Sequence, residues 1–78
     1  MARVRLFAAA AEAAGADETT SGATTVAALR AELEDRYGAD LARVLRQCSI
    51  VVDRVRADDS GTVGDDSLVD VMPPFAGG

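Results

Sequence analysis

The six residues Pro73-Pro74-Phe75-Ala76-Gly77-Gly78 are where residue type and spacing point to chemistry. Each proline fixes its own φ and pushes the preceding residue toward extended backbone, so the pair directs the chain away from whatever precedes it. The four residues beyond reach about 13 Å. Gly77 and Gly78 have no side chain, so a narrow channel can admit them where any other residue would clash. The sequence closes on the α-carboxylate of Gly78, a group that can be activated as an acyl adenylate. The expected use of such a tail is to deliver that carboxylate into another protein's active site. A frayed terminus is the competing reading. It does not account for a proline pair directly after a strand, or for a lone aromatic just before the thin end.

The rest of the sequence offers little other chemistry. There is no His, hence no common metal ligand or general base. Cys48 is the single cysteine and has no disulfide partner. It begins an apolar run and reads as core filling rather than as a nucleophile. Asp58, Asp59, Asp65 and Asp66 match no calcium-loop spacing and read as a solvated loop. No phosphate-binding glycine loop is present, and no nucleophile is spaced to a base. An enzyme acting alone is therefore not expected.

The formal net charge of −5 argues against nucleic acid and anionic membranes, which require a basic footprint. It suits a basic partner, or solubility alone. All eight basic residues are Arg, so no lysine can accept an isopeptide bond. With 78 residues the chain is one small domain with a thin core. Its longest apolar stretch, residues 6–11, is too short to span a bilayer, and no signal-peptide layout is apparent. A cytoplasmic protein is expected.

The elements that must position the tail follow from periodicity. Residues 3–8 alternate, with Val4, Leu6 and Ala8 expected to face a core and Arg3, Arg5 and Phe7 the other side. Arg3 and Arg5 would decorate an exposed face or meet an acidic partner. Residues 9–14 predict a short helix stopped by Gly15, and residues 18–21 an edge strand. Residues 25–37 predict the main helix, capped by Thr24 or Thr25, with Val26, Leu29, Leu33 and Tyr37 on one face. Gly38 ends it, and Asp40 is expected to cap a second short helix carrying Leu41, Val44 and Leu45. Residues 48–52 predict a buried strand. A tight Asp53-Arg54 turn leads to residues 55–57, and residues 67–72 form the last strand before the prolines end it.

One main helix across a small mixed sheet is an α+β layer architecture. Strand count and helix position match the β-grasp fold, although composition alone leaves a ferredoxin-like arrangement open. The expected organisation is a domain over residues 1–72 and an extended tail over residues 73–78. If the first and last strands are neighbours, Phe7 and Met72 lie close together on the uncovered sheet face. With Phe75 they form a candidate docking patch.

The tail Met72-Pro73-Pro74-Phe75-Ala76-Gly77-Gly78 resembles the C-terminus of the molybdopterin synthase small subunit and related sulfur carriers. So do Val4-Arg5-Leu6-Phe7-Ala8 followed by Glu12 and Gly15, the helix ending at Gly38, and Ile50-Val51-Val52. The resemblance implies a β-grasp, ubiquitin-like fold with no permanently bound cofactor. It implies that an adenylyltransferase similar to the ubiquitin activators uses ATP to adenylate Gly78, and that a sulfurtransferase then converts it to a thiocarboxylate. It further implies that Phe75, Ala76, Gly77 and Gly78 enter a channel in the synthase large subunit, in a heterotetramer. There sulfur passes to cyclic pyranopterin monophosphate. Phe7, Met72, Pro73, Pro74 and Phe75 would contact the partners. Three alternatives stay open: a carrier for thiazole or cysteine synthesis, a protein modifier conjugated through Gly78, and an interaction module with an inert tail.

Overall fold

The computed structural model describes residues 1–73. Its elements are β1 (Ala2–Leu6), α1 (Ala9–Ala14), β2 (Glu18–Ser21), α2 (Val26–Tyr37), α3 (Ala39–Leu45), β3 (Ser49–Val52), β4 (Val55–Ala57) and β5 (Leu68–Met72). The strands form one mixed sheet in the order β2-β1-β5-β3-β4. β1 and β5 run parallel at its centre, and the remaining pairs are antiparallel.

Alternation along the strands decides which residues are buried. Ala2, Val4 and Leu6 of β1, Ile50 of β3, and Val69 and Val71 of β5 are each at most 2% exposed. They pack with Val26, Leu29 and Leu33 of α2 and with Leu41 and Leu45 of α3 in one apolar cluster. Each such leucine, fully buried, contributes about 1.5–3 kcal/mol relative to exposure. Tyr37, expected on the same helix face, is half-buried at the edge of the cluster.

The start of α2 is closed from two directions. Thr25 is its N-cap, and its Oγ1 accepts from Ala28 N at 3.1 Å. The loop before β5 satisfies two more free amides, because Val26 N donates to Gly61 O and Ala27 N to Asp59 O, both at 3.0 Å. Gly61 is required by this close approach: a Cβ there would lie 2.9 Å from that of Ala57. At the other end, the Gly38 amide donates to Glu34 O.

Three expectations are corrected. Ala8 does not face the core. The chain leaves β1 after Leu6, and Ala8 is exposed at φ 53° as it turns into α1, so Ala10 fills the buried position instead. Asp40 does not cap α3. Gly38 stands at the N-cap without a side-chain bond, and Asp40 lies inside the first turn, paired with Arg43 at 2.6 Å. The last strand starts at Leu68, because the Ser67 hydroxyl is drawn into the turn before it, accepting from Gly64 N and donating to Asp53.

The β3–β4 turn has both Asp53 (φ 49°) and Arg54 (φ 72°) in left-handed backbone, as a two-residue turn between right-twisted strands requires. A glycine normally occupies such a turn. Asp53 compensates with its side chain, accepting from Leu68 N at 2.8 Å and from Ser67 Oγ at 3.0 Å. The hairpin is thereby pinned to the start of β5.

Candidate functional site

The helices cover one face of the sheet and leave the other open. Strand register assembles the open face row by row. One row runs Glu18, Arg5, Asp70, Val51, Arg56 across all five strands. On one side of it lie Thr20, Arg3 and Leu68. On the other lie Met72 and its partner Ser49. The β1–β5 register ends at Leu6 opposite Val71, so Phe7 and Met72 are the next positions along the two segments. Both are 37% exposed, and Pro73, half-buried, follows. The register thus brings Phe7, Met72 and Pro73 to one end of the sheet. Pro74, Phe75, Ala76, Gly77 and Gly78, which carry the expected tail chemistry, lie outside the described residues.

Arg3 and Arg5 each meet an acid within the chain. Arg3 pairs with Glu18 at 3.2 Å. The Arg5 guanidinium forks onto Asp70, Nε to Oδ1 at 2.7 Å and Nη2 to Oδ2 at 3.0 Å. This hydrogen-bonded carboxylate raises the Arg5 pKa from its ordinary value. The same guanidinium stands 5.7 Å from the Phe7 ring centroid, in cation–π range. Asp70 therefore holds Arg5, and Arg5 lies against Phe7. No sequence pattern signals this arrangement, because it depends on a parallel pairing of residues 65 apart.

Cys48 is buried, and burial pushes its thiol above the ordinary value, with Arg30 opposing the shift. A protonated, enclosed thiol is a poor nucleophile, which agrees with core filling. Asp58, by contrast, is held below the usual carboxylate range because the Ser60 hydroxyl and amide donate to it. Among the described residues no group of three or more Cys, Asp or Glu is placed to hold a metal ion. No helix among them is long and apolar enough to cross a membrane.

A five-stranded mixed sheet grasping one long helix, with a hydrophobic end where the last strand exits, defines a β-grasp, ubiquitin-like protein. The ThiS family model matches residues 4–78, so the chain belongs to the ThiS family. A search of curated proteins finds no match to the sequence. Solved structures agree on the fold. The small archaeal modifier protein 1 from Methanosarcina acetivorans is 21% identical with a TM-score of 0.83, covering 99% of this chain and 95% of that one. A chain of the Amycolatopsis orientalis BexX/CysO complex is 18% identical with a TM-score of 0.83, covering 100% of both. A chain from the complex of subunits 1 and 2 of the molybdopterin-converting factor from Helicobacter pylori is 23% identical with a TM-score of 0.73, covering 99% and 97%.

Proposed function

We propose that the protein is a sulfur carrier that works through Gly78 and supplies sulfur for molybdopterin synthesis. The observation that carries this reading is that the ThiS family match runs through residue 78 and so takes in the diglycine end. In this reading the packed body serves as the carrier, the reacting carboxylate is that of Gly78, and the catalytic groups belong to the partners. In the proposed cycle an adenylyltransferase binds ATP, a carboxylate oxygen of Gly78 attacks the α-phosphorus, and pyrophosphate leaves. A persulfide on a sulfurtransferase then displaces AMP at the carbonyl carbon to give an acyl disulfide, and a second thiol attacks its S–S bond, leaving the thiocarboxylate on Gly78 and a disulfide on the sulfurtransferase side. Phe75, Ala76, Gly77 and Gly78 enter the synthase large subunit, where the thiocarboxylate sulfur attacks cyclic pyranopterin monophosphate and water then cleaves the resulting thioester, returning Gly78 as a carboxylate; two such transfers supply the dithiolene. The open face, with Phe7, Met72 and Pro73 beside the tail's origin, docks these partners. The Pro-Pro-Phe approach and the second short helix favour the molybdopterin branch over the thiazole carriers.

A second reading, a protein modifier joined through Gly78 to lysines of other proteins, draws support from the likeness to the small archaeal modifier protein 1. One reconstitution separates the readings. The chain is charged with ATP and a sulfur donor by its adenylyltransferase and offered cyclic pyranopterin monophosphate with a synthase large subunit. Formation of the dithiolene, lost on deleting Gly78, is expected. Absence of pterin product, together with diglycine-dependent conjugates in cell extract, would favour the modifier instead.

A further inference from the structure

A docking aromatic binds best when its ring already stands in the bound rotamer, because ordering a side chain on association costs affinity. Phe7 is held at two levels. Its backbone is fixed where the chain leaves the sheet. β1 ends at Leu6, Ala8 turns at φ 53°, and Phe7 O accepts from Ala10 N at 3.1 Å. Its side chain keeps the freedom of an aromatic rotamer at the surface, and the residue is 37% exposed. Against the ring stands the Arg5 guanidinium, 5.7 Å from the centroid.

Arg5 has an acid on either side. Register sets Glu18 opposite it on β2 and Asp70 opposite it on β5. Glu18 is taken by Arg3, whose Nε and Nη2 donate to its two carboxylate oxygens at 3.2 and 3.3 Å. Arg5 gives the same two nitrogens to the two oxygens of Asp70, at 2.7 and 3.0 Å. The settings differ. The Arg3 and Glu18 side chains are 63% and 49% exposed, whereas that of Asp70 is 14% exposed and less screened by solvent. Two parallel bonds fix the plane of a guanidinium as well as its place. Asp70 thus decides which way Arg5 points, and so what lies against Phe7.

We propose that Asp70 is a positioning residue for docking: acting through Arg5, it presets the Phe7 ring for the partner that takes the tail. This rests on the reading of Phe7 as a docking residue. Without the Asp70 carboxylate, the acid left opposite Arg5 is Glu18, on the far side of β1 from β5. The guanidinium is then drawn toward β2, and the ring is left to sample its rotamers. The partner must order it on binding, and affinity falls although no contact with the partner has been removed.

The test is a double-mutant cycle on binding of the full chain to its adenylyltransferase. Asp70→Asn keeps the size of the side chain, but an amide has a single acceptor oxygen and cannot take the fork. It is expected to weaken binding about two- to fivefold, and Phe7→Ala about five- to thirtyfold. The double variant should bind no more weakly than Phe7→Ala alone. Glu18→Gln makes the same charge change on the same face and should stay within about twofold of wild type. Wild-type affinity for Asp70→Asn would overturn the proposal and leave Phe7 as a docking residue. So would an equal loss from Asp70→Asn in the presence and absence of the Phe7 ring, which would make Asp70 or Arg5 a direct contact. Wild-type affinity for Phe7→Ala would instead remove the docking reading of Phe7, and the role of Asp70 with it. A second arm needs no partner. In the free chain, nuclear Overhauser contacts between the Phe7 ring protons and the Arg5 Cδ protons are expected in wild type and in Glu18→Gln, and their loss is expected in Asp70→Asn. Their persistence in Asp70→Asn would show that Arg5 stays on the ring without its acid and would overturn the assignment.

Discussion

The two faces of the sheet are made by the same strands and do opposite things. On the covered face, Val4, Leu6, Ile50, Val69 and Val71 are at most 2% exposed and close on three helices. One residue along, on the open face, stand Arg5, Val51, Asp70 and Met72, whose contacts are ion pairs and the edges of an apolar patch. A period of two thus separates a buried apolar core from an open, ion-paired face within one layer. A domain this small has no spare core from which to build a pocket. In the proposed function the open face, whose internal contacts are cross-strand ion pairs rather than core packing, is the one that docks.

The largest way to break this division is on the covered side. Leu29→Ala empties a fully buried site and is expected to cost about 2–5 kcal/mol by chemical denaturation. The fraction that remains folded should still be thiocarboxylated at the wild-type rate, because Leu29 takes no part in the proposed chemistry at Gly78. Phe7→Ala sharpens the comparison from the open side. Partner affinity should fall by about 1–2 kcal/mol, with a change in unfolding free energy of less than about 1 kcal/mol, as measured by calorimetric titration and denaturant melts. Equal losses in both measurements would mean that Phe7 is a core residue in function. The smallest effect is expected in the β3–β4 turn. Arg54→Gly relieves a left-handed non-glycine residue and should stabilise the chain by about 0.5–1 kcal/mol without altering binding.

What the sequence disclosed divides along the same line. β1 and α2 were legible because burial imposes periods of two and 3.6 on their apolar residues, and the positive-φ stop at Gly15 was legible because glycine favours that backbone. The turn at Asp53-Arg54 was locatable, but not its reason, since the amide and hydroxyl that hold Asp53 belong to Leu68 and Ser67, over a dozen residues away. The sequence places Arg5 on an exposed strand face but does not show which acid it meets there. Only the parallel register of β1 and β5 sets it opposite Asp70. Asp40 has the side chain of a cap, yet Gly38 already lets the chain re-enter a helix two residues earlier.

The most direct test of the division between a passive body and a reactive end is the intact mass of the protein isolated from its own cells under non-reducing conditions. A carrier predicts a fraction about 16 Da heavier, from one oxygen exchanged for sulfur, mapped to the C-terminal peptide and lost when Gly78 is deleted. A mature product that continues beyond Gly78, or a diglycine end that stays an ordinary carboxylate while the cognate sulfur pathway is active, would contradict it.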